Sequence, residues 1–160
     1  MAKQVERMFR FSADTDRLLS VLIDEDYQHA REKAQGALSS KVDQVERTDE
    51  RLVYKVSTTE YAKGMTGVDK SKTEESQVTY EWDLKRKRAK WTYAGPHGKM
   101  VSVQGELRIQ PDGDGSNLTS VFQADVKVPL VGGKIEKMIL AEVEKSWDRY
   151  GKTIQDFLDR

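Results

Sequence analysis

Apolar side chains recur at every second position through most of the chain between residues 51 and 128. Leu52, Tyr54 and Val56 share one face, and Val78, Tyr80, Trp82 and Leu84 alternate with Thr79, Glu81 and Asp83. Trp91 stands with Tyr93, Val101 and Val103 with Leu107 and Ile109, and Leu118 with Phe122, Val126 and Val128. A period of two with one polar face marks strands of an antiparallel sheet that is wet on one side. The pattern predicts strands at residues 38–47, 51–61, 73–84, 89–94, 100–110 and 117–128, the first polar enough for an edge. Residues 4–11 add a further strand, with Val5, Phe9 and Phe11 on one side. The joins at residues 85–88, 95–98 and 111–116 are short and rich in turn formers, as hairpins require.

The period changes in two places. After residue 11, Ser12 reads as an N-cap, Asp14 and Asp16 suit the positive end of a helix, and Leu18, Leu19, Leu22 and Ile23 form its apolar face. A second short helix is predicted at residues 26–35, ended by Gly36. After the turn Val128-Pro129-Leu130-Val131-Gly132-Gly133, the residues Ile135, Ile139, Val143, Trp147, Tyr150, Ile154 and Leu158 recur at three- and four-residue spacing. They predict a helix over residues 132–158, its main body about 37 Å long. The order is strand, two short helices, six strands, long helix, with no linker or repeat, so residues 1–160 read as a single α+β domain.

That order resembles the helix-grip fold of the START and polyketide-cyclase superfamily. The most specific local matches are Phe11-Ser12-Ala13-Asp14 and the stretch from Val126 through Pro129-Leu130-Val131-Gly132-Gly133 to Glu136. The second stretch looks particularly like a bacterial family of unknown function within the superfamily. The resemblance implies a curved antiparallel sheet of about seven strands wrapped around the C-terminal helix, with the two short helices closing one end. It does not select a function, because the superfamily includes lipid carriers, cyclases and stress co-chaperones.

Composition narrows the field. Lysine plus arginine balance aspartate plus glutamate at 27 each, which disfavours a dedicated nucleic-acid binder. No apolar run is long enough for a transmembrane segment. The absence of cysteine removes disulfides, thiolate catalysis and cysteine-zinc sites. With no secretory signal visible, a cytoplasmic location is expected. His29 and His97 lie apart with no ligand spacing, so no metal site or other cofactor is predicted. Asp112-Gly113-Asp114-Gly115-Ser116 opens like a calcium loop but has Asn117 at the sixth position and Gln123 at the twelfth, and reads as a turn. Gly132-Gly133-Lys134 lacks the rest of a P-loop and reads as chain reversal, and the basic run 85–88 as a solvated hairpin tip. Residues 62–68, with two glycines beside Met65 and Val68, suit either a lid or a loosely packed hairpin.

The remaining signal is the set of bulky side chains on inward faces. Tyr54, Tyr80, Trp82, Trp91, Tyr93, Val103 and Phe122 of the sheet, with Ile135, Ile139 and Val143 of the helix, are the expected ligand-binding residues. The cavity is expected against the first half of the helix. The function that follows is non-catalytic binding of a small hydrophobic or lipid-like molecule. The alternatives are a cyclase- or aromatase-type enzyme using the same cavity, with Glu142 as its candidate carboxylate, and a co-chaperone-like protein-interaction module. Oligomeric state and ligand identity are not legible in the sequence.

Overall fold

The computed structural model describes residues 2–64 and 67–160. Seven strands form one antiparallel sheet: β1 (Lys3–Phe11), β2 (Ser39–Arg47), β3 (Arg51–Gly64), β4 (Gly67–Asp83), β5 (Arg88–Ala94), β6 (Val101–Asp112) and β7 (Gly115–Val126). Their order across the sheet is β1-β7-β6-β5-β4-β3-β2, so polar β2 lies at an edge, as its composition demands. Helices α1 (Thr15–Leu22) and α2 (Glu25–Ala34) follow β1, and α3 (Gly132–Leu158) closes the chain. This is the α+β helix-grip architecture. No helix among the described residues is long and apolar enough to cross a membrane.

Three local expectations need correction. The cap of α1 is Asp14, whose carboxylate accepts from the Arg17 N–H at 2.8 Å; Ser12 lies exposed two residues earlier. The expected loop at 62–68 is largely ladder, since Ala62 pairs with Asp69, Lys63 with Val68 and Gly64 with Gly67. Met65, the apolar residue assigned to that loop, lies outside the described residues. On α3, the deepest positions are Glu136, Leu140, Trp147, Ile154 and Phe157. Ile135, Ile139, Val143, Tyr150 and Leu158 flank that line and are only partly buried, so the stripe is rotated from the expected one.

The start of α3 explains the stretch 126–136. A Cβ on Gly132 would stand 2.4 Å from the Val126 carbonyl oxygen, so only glycine lets the helix begin this close to the end of β7. Glu136, buried one turn later, accepts the Val126 N–H at 2.8 Å and lies 3.7 Å from Lys3 Nζ. At the other end, Phe9 packs on Trp147 and Tyr150, and Tyr27 meets Phe157 edge-on. Among the strands, α3 leans mainly on β7 and β1. The inner faces of β4, β5 and β6 are therefore left facing a gap, as expected when a straight helix crosses a twisted sheet.

Candidate functional site

The strand register gathers the inward side chains into rungs that cross the sheet. One rung runs Tyr54, Tyr80, Trp91, Gly105, Phe122, Val5. The next runs Val56, Val78, Tyr93, Val103, Ala124. Gly105 is the break in the aromatic rung. A Cβ there would sit 2.0 Å from the Val121 carbonyl oxygen and 2.4 Å from the Trp91 ring. The missing side chain lets the Trp91 indole lie down across β6 and meet Phe122, with ring centroids 5.0 Å apart.

Over these rungs lies a cavity of about 370 Å³. Its sheet floor is Val78, Tyr80, Trp91, Tyr93, Val103 and Phe122, with Leu107 and Ser120 beyond. Val143, Ser146, Trp147 and Tyr150 of α3 form one wall, and Arg31 and Glu32 of α2, with its C-cap Gln35, close one end. At the rim Arg149 donates to Gln35 Oε1 at 3.0 Å, tying α3 to α2.

Six of the ten expected residues thus share one cavity: Tyr80, Trp91, Tyr93, Val103, Phe122 and Val143. Tyr54 and Trp82 sit behind it in a buried knot. Trp82 Nε1 donates to the Tyr54 hydroxyl at 3.3 Å, as does Gln28 Nε2 at 3.2 Å, and Gln28 also donates to the Leu22 carbonyl. Their polar ends serve the junction of sheet with α1 and α2. Ile135 lines a separate recess, and Ile139 packs against the core without lining either space. The cavity lies beside the middle of α3, from Glu142 and Val143 to Tyr150, so of the first-half positions expected there only Val143 reaches it and Ile135 and Ile139 do not.

Arg31 is the site residue that hydropathy could not reveal. Its side chain is only 9% exposed, and its guanidinium holds Glu32 Oε1 at 2.7 Å while lying 5.2 Å from the centre of the Tyr80 ring and 5.9 Å from that of Tyr27. Burial works against this charge, but the proximity of Tyr80, Glu32, Tyr27 and Tyr150 outweighs it and holds Arg31 well above its ordinary range. Burial in turn raises the surrounding tyrosines, Tyr54 to about 12 and Tyr27, Tyr80 and Tyr150 in the same direction. At neutral pH they are hydroxyls, able to donate and accept hydrogen bonds. The cavity is thus apolar and aromatic along its floor, with a fixed cation and neutral hydroxyls at one end.

Several other groups singled out in the sequence have structural partners, while His97 lines the separate recess that Ile135 also reaches. His29 bonds Ser40 Oγ at 2.6 Å, Asp112 holds Arg10 at 3.0 Å, and Lys85 and Lys87 pair with Glu50 and Asp16. The Gly133 carbonyl takes the Lys3 ammonium at 2.9 Å.

A family model described as "Protein of unknown function (DUF2505)" matches residues 7–158. No curated protein sequence matches the chain. Solved structures share the fold. TTHA0849 from Thermus thermophilus is 16% identical with a TM-score of 0.67, covering 98% of this chain and 97% of its own. ZhuI aromatase/cyclase from Streptomyces sp. R1128 is 17% identical with a TM-score of 0.64, covering 100% and 95%. A START superfamily protein from Mycobacterium smegmatis is 13% identical with a TM-score of 0.57, covering 96% and 98%. Identities this low carry the fold alone.

Proposed function

Since the chain belongs to the DUF2505 family, whose description names no activity, we propose its function from the cavity: it binds a small, largely apolar molecule with one polar end and does not transform it. The observation that carries this reading is the aromatic floor closed at one end by buried Arg31. A volume of about 370 Å³ falls in the range of small-molecule sites. Each CH₂ moved from water onto such a floor contributes about 0.8 kcal/mol, so a ten-carbon body gains about 8 kcal/mol before ordering costs. Arg31, with the Tyr80 and Tyr150 hydroxyls, would fix the polar end by donating to an oxygen.

The cyclase alternative needs a general base in the same space. The lining carboxylates already face cations: Glu32 holds Arg31, Glu60 lies 3.6 Å from Lys63, and Glu142 lies 3.4 Å from Lys145 at the exposed rim. The raised tyrosines are unsuited to accept a proton at neutral pH. Binding is therefore the better-supported reading.

Trp91 and Trp147 both border the cavity, so occupancy should change intrinsic fluorescence. A medium-chain fatty acid is expected to quench or blue-shift the emission saturably. Val143→Trp, which fills the space from a half-buried helix position, should weaken binding about ten-fold or more while leaving the melting temperature near wild type. Native mass spectrometry of protein from its own host should show a retained small molecule. No saturable response and no retained mass would sink the proposal.

A further inference from the structure

The turn between β7 and α3 carries a feature that neither the cavity nor the fold uses. Leu130 is fully exposed and holds a positive φ of 71°. That backbone region is disfavoured for any residue with a Cβ, and a leucine side chain buried against nothing returns no packing in exchange. Val131 beside it is exposed, as are Met138 on the first turns of α3 and Met100 just before β6. Both methionines line a mainly apolar recess of about 580 Å³, together with Val126, Val128 and Ile135 and with His97 and Lys63.

Lysines neighbour these aliphatic groups along the chain. Lys99, Lys127, Lys134 and Lys137 are all exposed and make no ion pair among the described residues. The only acid between residues 127 and 138 is Glu136, which is buried and spent on Val126 and Lys3. The face therefore combines a protruding aliphatic turn with four exposed cations that make no ion pair among the described residues.

We propose that this face docks on a lipid bilayer bearing anionic head groups, with Leu130 and Val131 inserted among the lipids and the lysines on the head groups. The chemistry of the patch favours a bilayer over a protein partner. Protein interfaces enrich aromatics, methionine and arginine and deplete lysine, whereas the protruding turn itself offers Leu130 and Val131 with lysine as its cation. Lysine stems can lie along the apolar tip while their ammonium groups reach outward. Lys63 lines both the recess and the cavity, so the docked surface lies beside the cavity rim, where an apolar molecule could cross without entering bulk water. The docking itself stands whether or not the cavity holds a ligand.

The test is co-sedimentation of the full chain with phosphatidylcholine vesicles, with and without phosphatidylserine. Binding is expected only with phosphatidylserine, by about five-fold per lysine engaged, and should fade as salt shortens the reach of the charges. Leu130→Gly relieves the backbone, so its melting temperature should equal or exceed wild type while vesicle affinity falls about ten-fold or more. Lys134→Glu with Lys137→Glu should abolish the phosphatidylserine dependence. Three results would each overturn the proposal: wild-type protein left in the supernatant at low salt, undiminished binding by Leu130→Gly, or equal affinity for an acidic polypeptide.

Discussion

Tyr27 of α2 backs the cavity's closed end, with its ring beside the Arg31 guanidinium and edge-on to Phe157. It is 1% exposed, and its hydroxyl lies near Tyr150 without a hydrogen bond of normal geometry. A buried hydroxyl left unpaired costs about 1–3 kcal/mol, so Tyr27→Phe should be neutral or stabilising by up to about 1 kcal/mol in urea denaturation. A loss above about 1 kcal/mol would mean that the hydroxyl has a partner in solution. The same burial makes stability depend on alkaline pH. Tyr54 holds its proton to about 12, whereas the unfolded chain releases it near 10. Above pH 10 the unfolded state binds fewer protons, so this contribution is complete below 10 and lost as pH rises towards 12. Tyr27, Tyr80 and Tyr150 act in the same sense. The urea midpoint should fall from about pH 10 upward; a midpoint unchanged to pH 12 would contradict the burial of these rings. None of this was legible in residues 25–34. The face α2 buries is Tyr27, Gln28 and Arg31, so a hydropathy pattern reads the helix as polar and misses the cation at the site.

The strands were more readable than the helix faces. A strand's period of two leaves one choice of face, and the residues expected inward on β3, β4 and β5 are the ones that form the rungs. A helix offers a continuous choice of rotation, and α3 buries a glutamate, which no apolar stripe would include. Tyr54 and Trp82 have the right face but the wrong place for the cavity: Tyr54 ends the Tyr80 rung on β3 and Trp82 lies one rung further along β4, where Trp82 bonds Tyr54 and Tyr54 meets Gln28 of α2 and Leu22 of α1. Glu136 in turn carries an expectation at this scale. It fastens the start of α3 to the last residue of β7. Glu136→Ala would leave the Val126 N–H buried without an acceptor and should cost about 1.5–3 kcal/mol. Glu136→Gln keeps an accepting oxygen and should cost distinctly less. Equal losses for the two variants in chemical denaturation would show that packing volume, and not the hydrogen bond, sets the effect.

For the molecule as a whole, the question is how anything enters. The sheet is one hydrogen-bonded surface of seven strands, and parting any neighbours would sacrifice a ladder. The helical wall is held by less. On the cavity side α2 meets α3 through side chains, among them the exposed Arg149–Gln35 bond and the Tyr27–Phe157 contact. Opening should therefore occur by α2 moving away from α3 while the sheet stays intact, since local opening follows the weakest set of contacts. In hydrogen–deuterium exchange the amides of α2 should exchange sooner than those of β5 and β6, and an apolar ligand should slow α2 most. A ligand bound as proposed would occupy the space closed by α2 and α3 and so bind only the closed arrangement, stabilising it by mass action. At a hundred times its dissociation constant that shift is about 2.7 kcal/mol, or about a hundred-fold in protection. If protection rises instead in the β3–β4 hairpin while α2 is unchanged, the entrance lies between the long hairpin and α3, and Glu60 and Lys63 are its gate.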